Sequence, residues 1–404
     1  MKRKLYYLII KNTKCKILSV FLSNFISVIM KGFYIIFSVF MSSSNKENIN
    51  LKEERQKLNN FSPKPLDVTN RKNLTILDKD IDLSIIIPAY NAEKTVEQCL
   101  DSVLTQNTKY NYEIVITNDG SKDNTQKLIE NFKEKYKCIN LINQENKGFS
   151  GARNTGIENA KGEYFMFLDS DDTVEENSID NLMNVANMNN ASIVVGSFNT
   201  IYNTKTDKTI IENKVIKTEK DKPIKGIPGG FPWGKVFKRE LFENVRFPEK
   251  YLFEDSIMAF LIYPLAQGTT VASISDSVYN YYKNDSGITA TYSTKPKCID
   301  AYWIIEKMYD EYIKVDLPQN ENLFNLIFGH LKITFWRTYR LDKNLRKAIF
   351  ILSCDLIEKV IDLKPNKKYN LYEKNLLKAY KTRNFKLWNM TSLIMDWEGK
   401  TWKY

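Results

Sequence analysis

The sequence predicts an α/β protein: a mixed, mainly parallel sheet flanked by helices, followed by an α-helical C-terminal subdomain. Three observations predict it. From residue 83 to about 196, short apolar runs alternate with helical patterns, as in βαβ units with right-handed crossovers. Several of those runs are continuously apolar rather than alternating, as strands buried on both faces are. From about Lys295 onward the pattern is that of helices alone.

Taken in order, "LSIIIP" (83–88) is the first strand, and Val96, Leu100, Val103 and Leu104 follow at helical spacing. "EIVITNDG" (113–120) is a second strand running into a turn, with a helix carrying Leu128, Ile129 and Phe132 behind it. "INLINQ" (139–144) is the third strand, a helix begins near Ser150, and "YFMFL" is the fourth strand. A helix over 176–189 leads to "SIVVG" (192–196). Beyond 197 the alternation lapses. "SFNTIYN" and "KTIIENKVIK" read as a hairpin, and "IPGGFPWGKVFKRELF" (227–242) reads as a Gly/Pro-rich loop entering a helix. The domain organisation expected is a basic, hydrophobic segment at 1–44, a polar linker at 45–80, the sheet domain at 81–294 and the helical subdomain at 295–404. A short helix is expected within the linker around Leu51 to Leu58.

Composition narrows the chemistry. The five cysteines lack C-x-x-C spacing, which argues against a zinc site or a disulfide framework. The single histidine, His330, lies in an aromatic helical stretch and reads as a packing residue, so a histidine-based triad is not expected. The net charge of +11 is localised: residues 1–46 hold eight Lys or Arg and no acid. The body is nearly neutral and has no dense basic run, so no nucleic-acid partner is expected. Within the basic segment, "ILSVFLSNFISVIM" and "FYIIFSVFM" are interrupted by Lys31 and Gly32. Basic flanks kept inside would put the body of a single-spanning protein outside the cell. The reading preferred is therefore an interfacial or re-entrant anchor that holds the protein at the cytoplasmic face of the membrane, the alternative being an ordinary hydrophobic helix packed on the body.

In an open parallel sheet, ligands collect outside the carboxyl ends of the strands. The unusual polar clusters fall there: "PAYNAE" after strand one, "NDGSKDNT" after two, "NKGFSGARN" after three and "DSDD" (169–172) after four. A single D-x-D is a common solvated turn, and Asn-Asp-Gly-Ser is a good turn by itself. Three adjacent carboxylates repel one another and call for a cation.

As an ensemble, "SIIIPAYN…NDGSKDNT…NKGFSGARNTG…GEYFMFLDSDD…EDS" resembles the family 2 glycosyltransferases of the GT-A fold, over about residues 82–290. The resemblance implies an inverting transferase that uses a UDP-sugar donor and Mn²⁺ or Mg²⁺. It implies a uracil site at Pro88, Ala89 and Tyr90, with Asp119 accepting from the base and Asn146 beside it. Arg153 is implied near the pyrophosphate, Asp169 toward the ribose or sugar hydroxyls, and Asp171 on the metal. In "YLFEDSIMAF", Asp255 is implied as the base that deprotonates the acceptor, with Glu254 as its neighbour or an acceptor contact. Trp233 in "PWGKVFKRELF" is implied as an acceptor-side stacking platform. "YYKNDSGIT" (281–289) resembles a late segment near the diphosphate, with Lys283 where relatives often carry Arg. Asn118 stands where Asp is frequent, and the Q-x-x-R-W element of processive synthases is absent, which favours adding one or few sugars. The acceptor implied is a glycan or lipid-linked molecule of the cell surface. Two other readings are a nucleotidyltransferase, which would want a Gly-rich basic loop where "PAYNAEKT" stands, and a non-catalytic membrane-attached scaffold.

Overall fold

A computed structural model of the chain describes residues 16–40, 50–66, 72–224, 226, 230–284, 291 and 295–398. By contacts the chain divides into two units: 1–64 with 292–306 and 319–404, and 65–291 with 307–318. In chain order the elements are α1 (Lys16–Phe40), α2 (Leu51–Phe61), β1 (Leu83–Ala89), α3 (Val96–Leu104), β2 (Tyr112–Asn118), α4 (Thr125–Lys135) and β3 (Ile139–Asn143). Then come α5 (Gly148–Asn159), β4 (Tyr164–Phe167), β5 (Thr173–Val174), α6 (Ser178–Asn189), β6 (Ala191–Ile201), β7 (Thr206–Thr209), β8 (Lys214–Lys217), β9 (Lys235–Lys238) and β10 (Thr270–Tyr282). Among the described residues five longer helices follow: α7 (Asp300–Lys314), α8 (Glu321–Thr338), α9 (Lys343–Glu358), α10 (Leu371–Thr382) and α11 (Phe385–Trp397).

The sheet unit is built on one mixed sheet in the order β3-β2-β1-β4-β9-β6-β10-β5, with β7 on β6 and β8 on β10. β1 pairs in parallel with β2 and with β4, and β2 with β3. All seven residues of β1 are buried, because helices cover both faces of a central parallel strand. β9 is antiparallel to both β4 and β6. This differs from the loop-into-helix expected for that stretch. Val236 and Phe237 are fully buried between two strands, so tertiary pairing overrides a four-residue segment with no periodicity of its own. The expected hairpin also splits: β7 returns on β6, whereas β8 pairs with β10.

The helical unit has its own aromatic core, including Trp388, against which Phe335 and Phe350 pack at centroid distances of 5.1 and 5.2 Å. Residues 51–61 of the stretch expected as a linker form α2 and join this unit. Leu58 of α2 is buried, Arg55 donates two hydrogen bonds to Glu306 at 2.8 and 2.7 Å, and the Trp303 indole donates to the Ser62 carbonyl. His330 is a packing residue, its ring nitrogen 2.9 Å from the Leu326 carbonyl, and burial pulls its pKa down to about 4. Cys99, Cys138, Cys298 and Cys354 are free thiols. Among the described residues, no helix is long and apolar enough to cross a membrane. Residues 1–15 and 41–44 of the expected anchor, 45–49 and 67–71 of the expected linker, and 285–289 of the "YYKNDSGIT" segment lie outside the described residues.

Candidate active site

The loops after β1, β2 and β3 are laced together by short side chains suited to turns. The Asn91 amide donates to Ser121 Oγ at 3.0 Å, and the Lys122 amide returns to Asn91 Oδ1 at 2.8 Å. Pro88 and Ala89 are buried at the strand end, while Tyr90 stands exposed on the rim. Asn118 is structural, donating to Asn143 Oδ1 at 2.8 Å and accepting from the Ser121 amide.

Asp119 is only 2 % exposed, and its carboxylate accepts from the chain itself: Gln144 Nε2 at 2.6 Å, and the Lys147 and Gly148 amides at 2.9 Å each. It therefore fixes the loop that presents Asn146, which is exposed. Each carboxylate oxygen has two lone pairs, so Asp119 Oδ2, with one donor, keeps capacity for another. Gly120 is required where this turn meets the next loop: its φ is +73°, and a Cβ there would lie 3.0 Å from the Asn146 nitrogen.

Arg153 rises from α5 and is 1 % exposed. Its guanidinium lies 3.7 Å from the Phe149 ring centroid. One end donates to Asp169 Oδ1 at 2.8 Å and the other to Glu254 Oε1 at 3.3 Å. One cation thus joins the end of β4 to the Glu254–Asp255 turn, which lie far apart in sequence. That turn has strained surroundings: Phe253 has φ +65°, costly for a bulky side chain, and a π-helical turn at Met258–Ile262 follows. Burial and the neighbouring Asp255 push the Glu254 carboxyl up to about 7, with Arg153 pulling the other way.

The three carboxylates of "DSDD" have different fates. Asp169 is ion-paired with Arg153. Asp171 is exposed, with no ion pair among the described residues, and the packing around it and the Asp169 charge raise its pKa. Asp172 is 1 % exposed and turns inward, accepting from the Tyr279 hydroxyl and the Tyr282 amide at 2.8 Å each. Burial, then Asp169, push it up to about 8. The expectation that one cation answers all three carboxylates is corrected here. Asp172 braces the end of β10, and Asp171 is the carboxylate left for a ligand.

A divalent cation fits this donor set in one way. Among the described residues no three metal-ligating side chains converge. Mg²⁺ and Mn²⁺ sites on nucleotides need only one or two carboxylates, the remaining ligands coming from phosphates and water. Asp171, with Asp169 beside it, meets that requirement.

Trp233, expected as a stacking platform, sits inside a ring stack. Phe231 lies 3.8 Å away and nearly parallel, and Tyr279 and Tyr281 lie at 4.7 and 5.6 Å, also nearly parallel. These rings fix the place of Trp233, which stays partly exposed beside Tyr279, the partner of Asp172. Sequence reasoning missed Lys235. Its buried ammonium donates to the Phe231 and Trp233 carbonyls at 2.7 and 3.3 Å and lies 3.8 Å from the Phe231 ring centroid. A lysine inside the apolar run "WGKVF" was the available signal. Lys283 is exposed, with its ammonium 5.2 Å from the Tyr202 ring centroid.

Comparison with known proteins gives the same outline. Residues 84–246 match the profile of "Glycosyl transferase family 2". Glycosyltransferase GlyA of Streptococcus pneumoniae is 34 % identical over 54 % of this chain and 32 % of its own length. Glycosyltransferase GlyG of the same species is 30 % identical over 52 % of this chain and 73 % of its own length. The chain thus spans about a third of the first of these relatives and most of the second. The fold superimposes on S. aureus TarS, solved with UDP-GlcNAc, with a TM-score of 0.64 at 18 % identity, covering 79 % of this chain and 92 % of that one.

Proposed function

The chain belongs to glycosyl transferase family 2, and from that premise we propose that it is a metal-dependent, inverting glycosyltransferase. It moves a sugar from a UDP-sugar to a glycan or lipid-linked acceptor in cell-surface polysaccharide synthesis, at the cytoplasmic face of the membrane. The observation that carries this reading is the bridge Asp169–Arg153–Glu254, which ties the acid cluster to the Glu254–Asp255 turn while Asp171 stays open. A UDP-GlcNAc complex of a protein with the same fold supports a uridine donor. Family membership and an intact acid cluster weigh against the nucleotidyltransferase and scaffold readings.

In this reading Pro88, Ala89, Tyr90 and Asn146 flank the uracil, and Asp119 contributes a lone pair to it while holding their loop. Asp171 holds the divalent ion, which when bound offsets the diphosphate charge. Arg153 adds positive charge beside the diphosphate and holds Asp169 and Glu254 to one cation. Asp255 takes the proton of the acceptor hydroxyl as its oxygen bonds to the anomeric carbon. The bond from that carbon to the diphosphate breaks, the configuration inverts, and UDP leaves. Glu254, poised near neutrality and joined to Arg153, orients the turn that carries Asp255.

The test is UDP release from a panel of UDP-sugars, with Mn²⁺, with Mg²⁺ and with chelator, and with or without a membrane lipid extract as acceptor. Release that requires metal and rises with acceptor is expected. No release from any UDP-sugar, with turnover of a different nucleotide sugar, would overturn the uridine assignment.

A further inference from the structure

In α1 the usual amphipathic arrangement is reversed. A helix packed on a soluble body turns its apolar stripe inward and its polar face to water. Here the inward stripe is polar: Ser27, Tyr34 and Ser38 are buried, and Lys31 pairs with Glu398 at 2.9 Å. The Tyr34 hydroxyl is held by Asn375 Nδ2 of α10 at 2.7 Å and lies 3.2 Å from Thr391 Oγ1 of α11. The outward residues are apolar, with Val28 67 %, Phe33 61 % and Ile36 56 % exposed, joined by Ile29 and Ile35. At 3.6 residues per turn these five fall within about 160° of the helix circumference.

A contiguous apolar face of this size on a soluble surface marks an interaction site. Its occupant follows from charge and from the seat. Residues 1–46 carry eight basic side chains and no acid, which complements an anionic surface. The seat is water-facing, since α10 exposes Lys374, Lys378 and Lys381, and these charges cannot follow α1 into hydrocarbon. Only the outer face of α1 is therefore available to lipid, which is the geometry of a helix lying in the membrane plane.

We propose that α1 is an in-plane membrane anchor, clamped to α10 and α11 through its polar stripe and pressing its apolar face into the acyl boundary of an anionic leaflet. This rests on the membrane placement proposed above and deepens it, naming the residues that enter lipid and the helices that hold them there. The clamp makes the anchor part of the helical unit rather than a free tether.

The test is flotation of the full chain with phosphatidylcholine vesicles, with and without phosphatidylglycerol. The parent is expected to float, more strongly with phosphatidylglycerol. The triple variant Ile29→Gln, Phe33→Gln, Ile36→Gln keeps the charge and changes only exposed side chains. It should lose membrane partition by about a hundredfold or more while keeping the parental Tm. A variant that floats like the parent overturns the proposal and leaves membrane placement to other segments. A parent that stays with the soluble fraction on both vesicles overturns the membrane placement itself. Light scattering without lipid covers a protein occupant: a parental dimer that the triple variant converts to monomer would assign the face to a second copy and overturn the lipid assignment.

Discussion

Glu306 in the helical unit and Asp172 in the sheet unit are both carboxylates taken almost wholly out of water, and their surroundings drive them in opposite directions. Burial opposes ionisation of Glu306, but the paired hydrogen bonds from Arg55 outweigh it, aided by Lys64 and the Tyr302 hydroxyl, and bring its pKa to about 2. Asp172 has two donors, neither of them charged, and Asp169 close by, so burial wins and its pKa rises to about 8. Glu254 behaves like Asp172, rising to about 7 despite Arg153. Glu306 is supplied with cations in full, whereas Asp172 and Glu254 are left short of positive charge. In the function proposed above, a cationic or metal-bound ligand offsets that shortage.

The largest effect expected from breaking the comparison is chemical. Asp255→Asn keeps size and hydrogen-bonding reach but cannot take a proton, so transfer to acceptor should fall about 10²–10⁴-fold. UDP affinity and Tm should stay at parental values. Calorimetry and single-turnover transfer measure the two separately. Transfer at near-parental rate would shift the base to Glu254, and loss of UDP binding would put Asp255 on the donor side.

The next two predictions set the units against each other. Glu306→Ala strands Arg55 and Lys64, which both keep access to water, and should cost about 2 kcal/mol of stability, the scale of lost charge-assisted hydrogen bonds. Asp171→Asn, on an exposed residue, should change stability by less than about 0.5 kcal/mol. It should instead remove the dependence of UDP affinity on Mn²⁺, a loss of about tenfold or more. Urea unfolding and calorimetry with and without metal check both. An Asp171→Asn protein that still binds UDP better with Mn²⁺ would move the metal to Asp169.

The contrast also marks what the sequence could tell. β1 to β4 are legible because each carries apolar residues bounded by turn residues, near-continuous in β1 and β4 and broken by Asn140 in β3, and the polar clusters fall at their carboxyl ends. β9 was not, since Lys235–Lys238 becomes a strand only through pairing with β4 and β6. The acid cluster was found as a group, yet its division was hidden. Asp172 turns inward because of Tyr279 and Tyr282, more than a hundred residues later in the chain. Trp233 is legible as an aromatic near the site, but its stacking partners Tyr279 and Tyr281 lie on β10, so the stack that holds it could not be foreseen. Side-chain identity is local information; who answers a buried charge or a ring face is set by topology.

The smallest effect expected is a pH dependence, and its sign separates the two carboxylates. Asp172 titrates higher in the folded chain than when unfolded, so the folded state holds its proton more tightly. The stability it contributes is complete below the ordinary carboxylate pKa of about 4 and is lost as pH rises toward its folded value of about 8. Glu254 adds to the same decline up to about 7. Glu306 runs the other way: its contribution is present above the ordinary range and is lost as pH falls toward about 2. Asp172→Asn keeps an acceptor for the Tyr282 amide without a titrating group. It should flatten the alkaline decline and raise Tm at pH 8 by about 3 °C or more relative to the parent, leaving the acid limb unchanged. Glu306→Gln should weaken the acid limb and leave the alkaline one. Thermal melts from pH 2 to 9 test both. An Asp172→Asn protein whose alkaline decline matches the parent's would mean that Tyr279 and Tyr282 hold this carboxylate ionised, and that the shortage of charge at the site rests on Glu254.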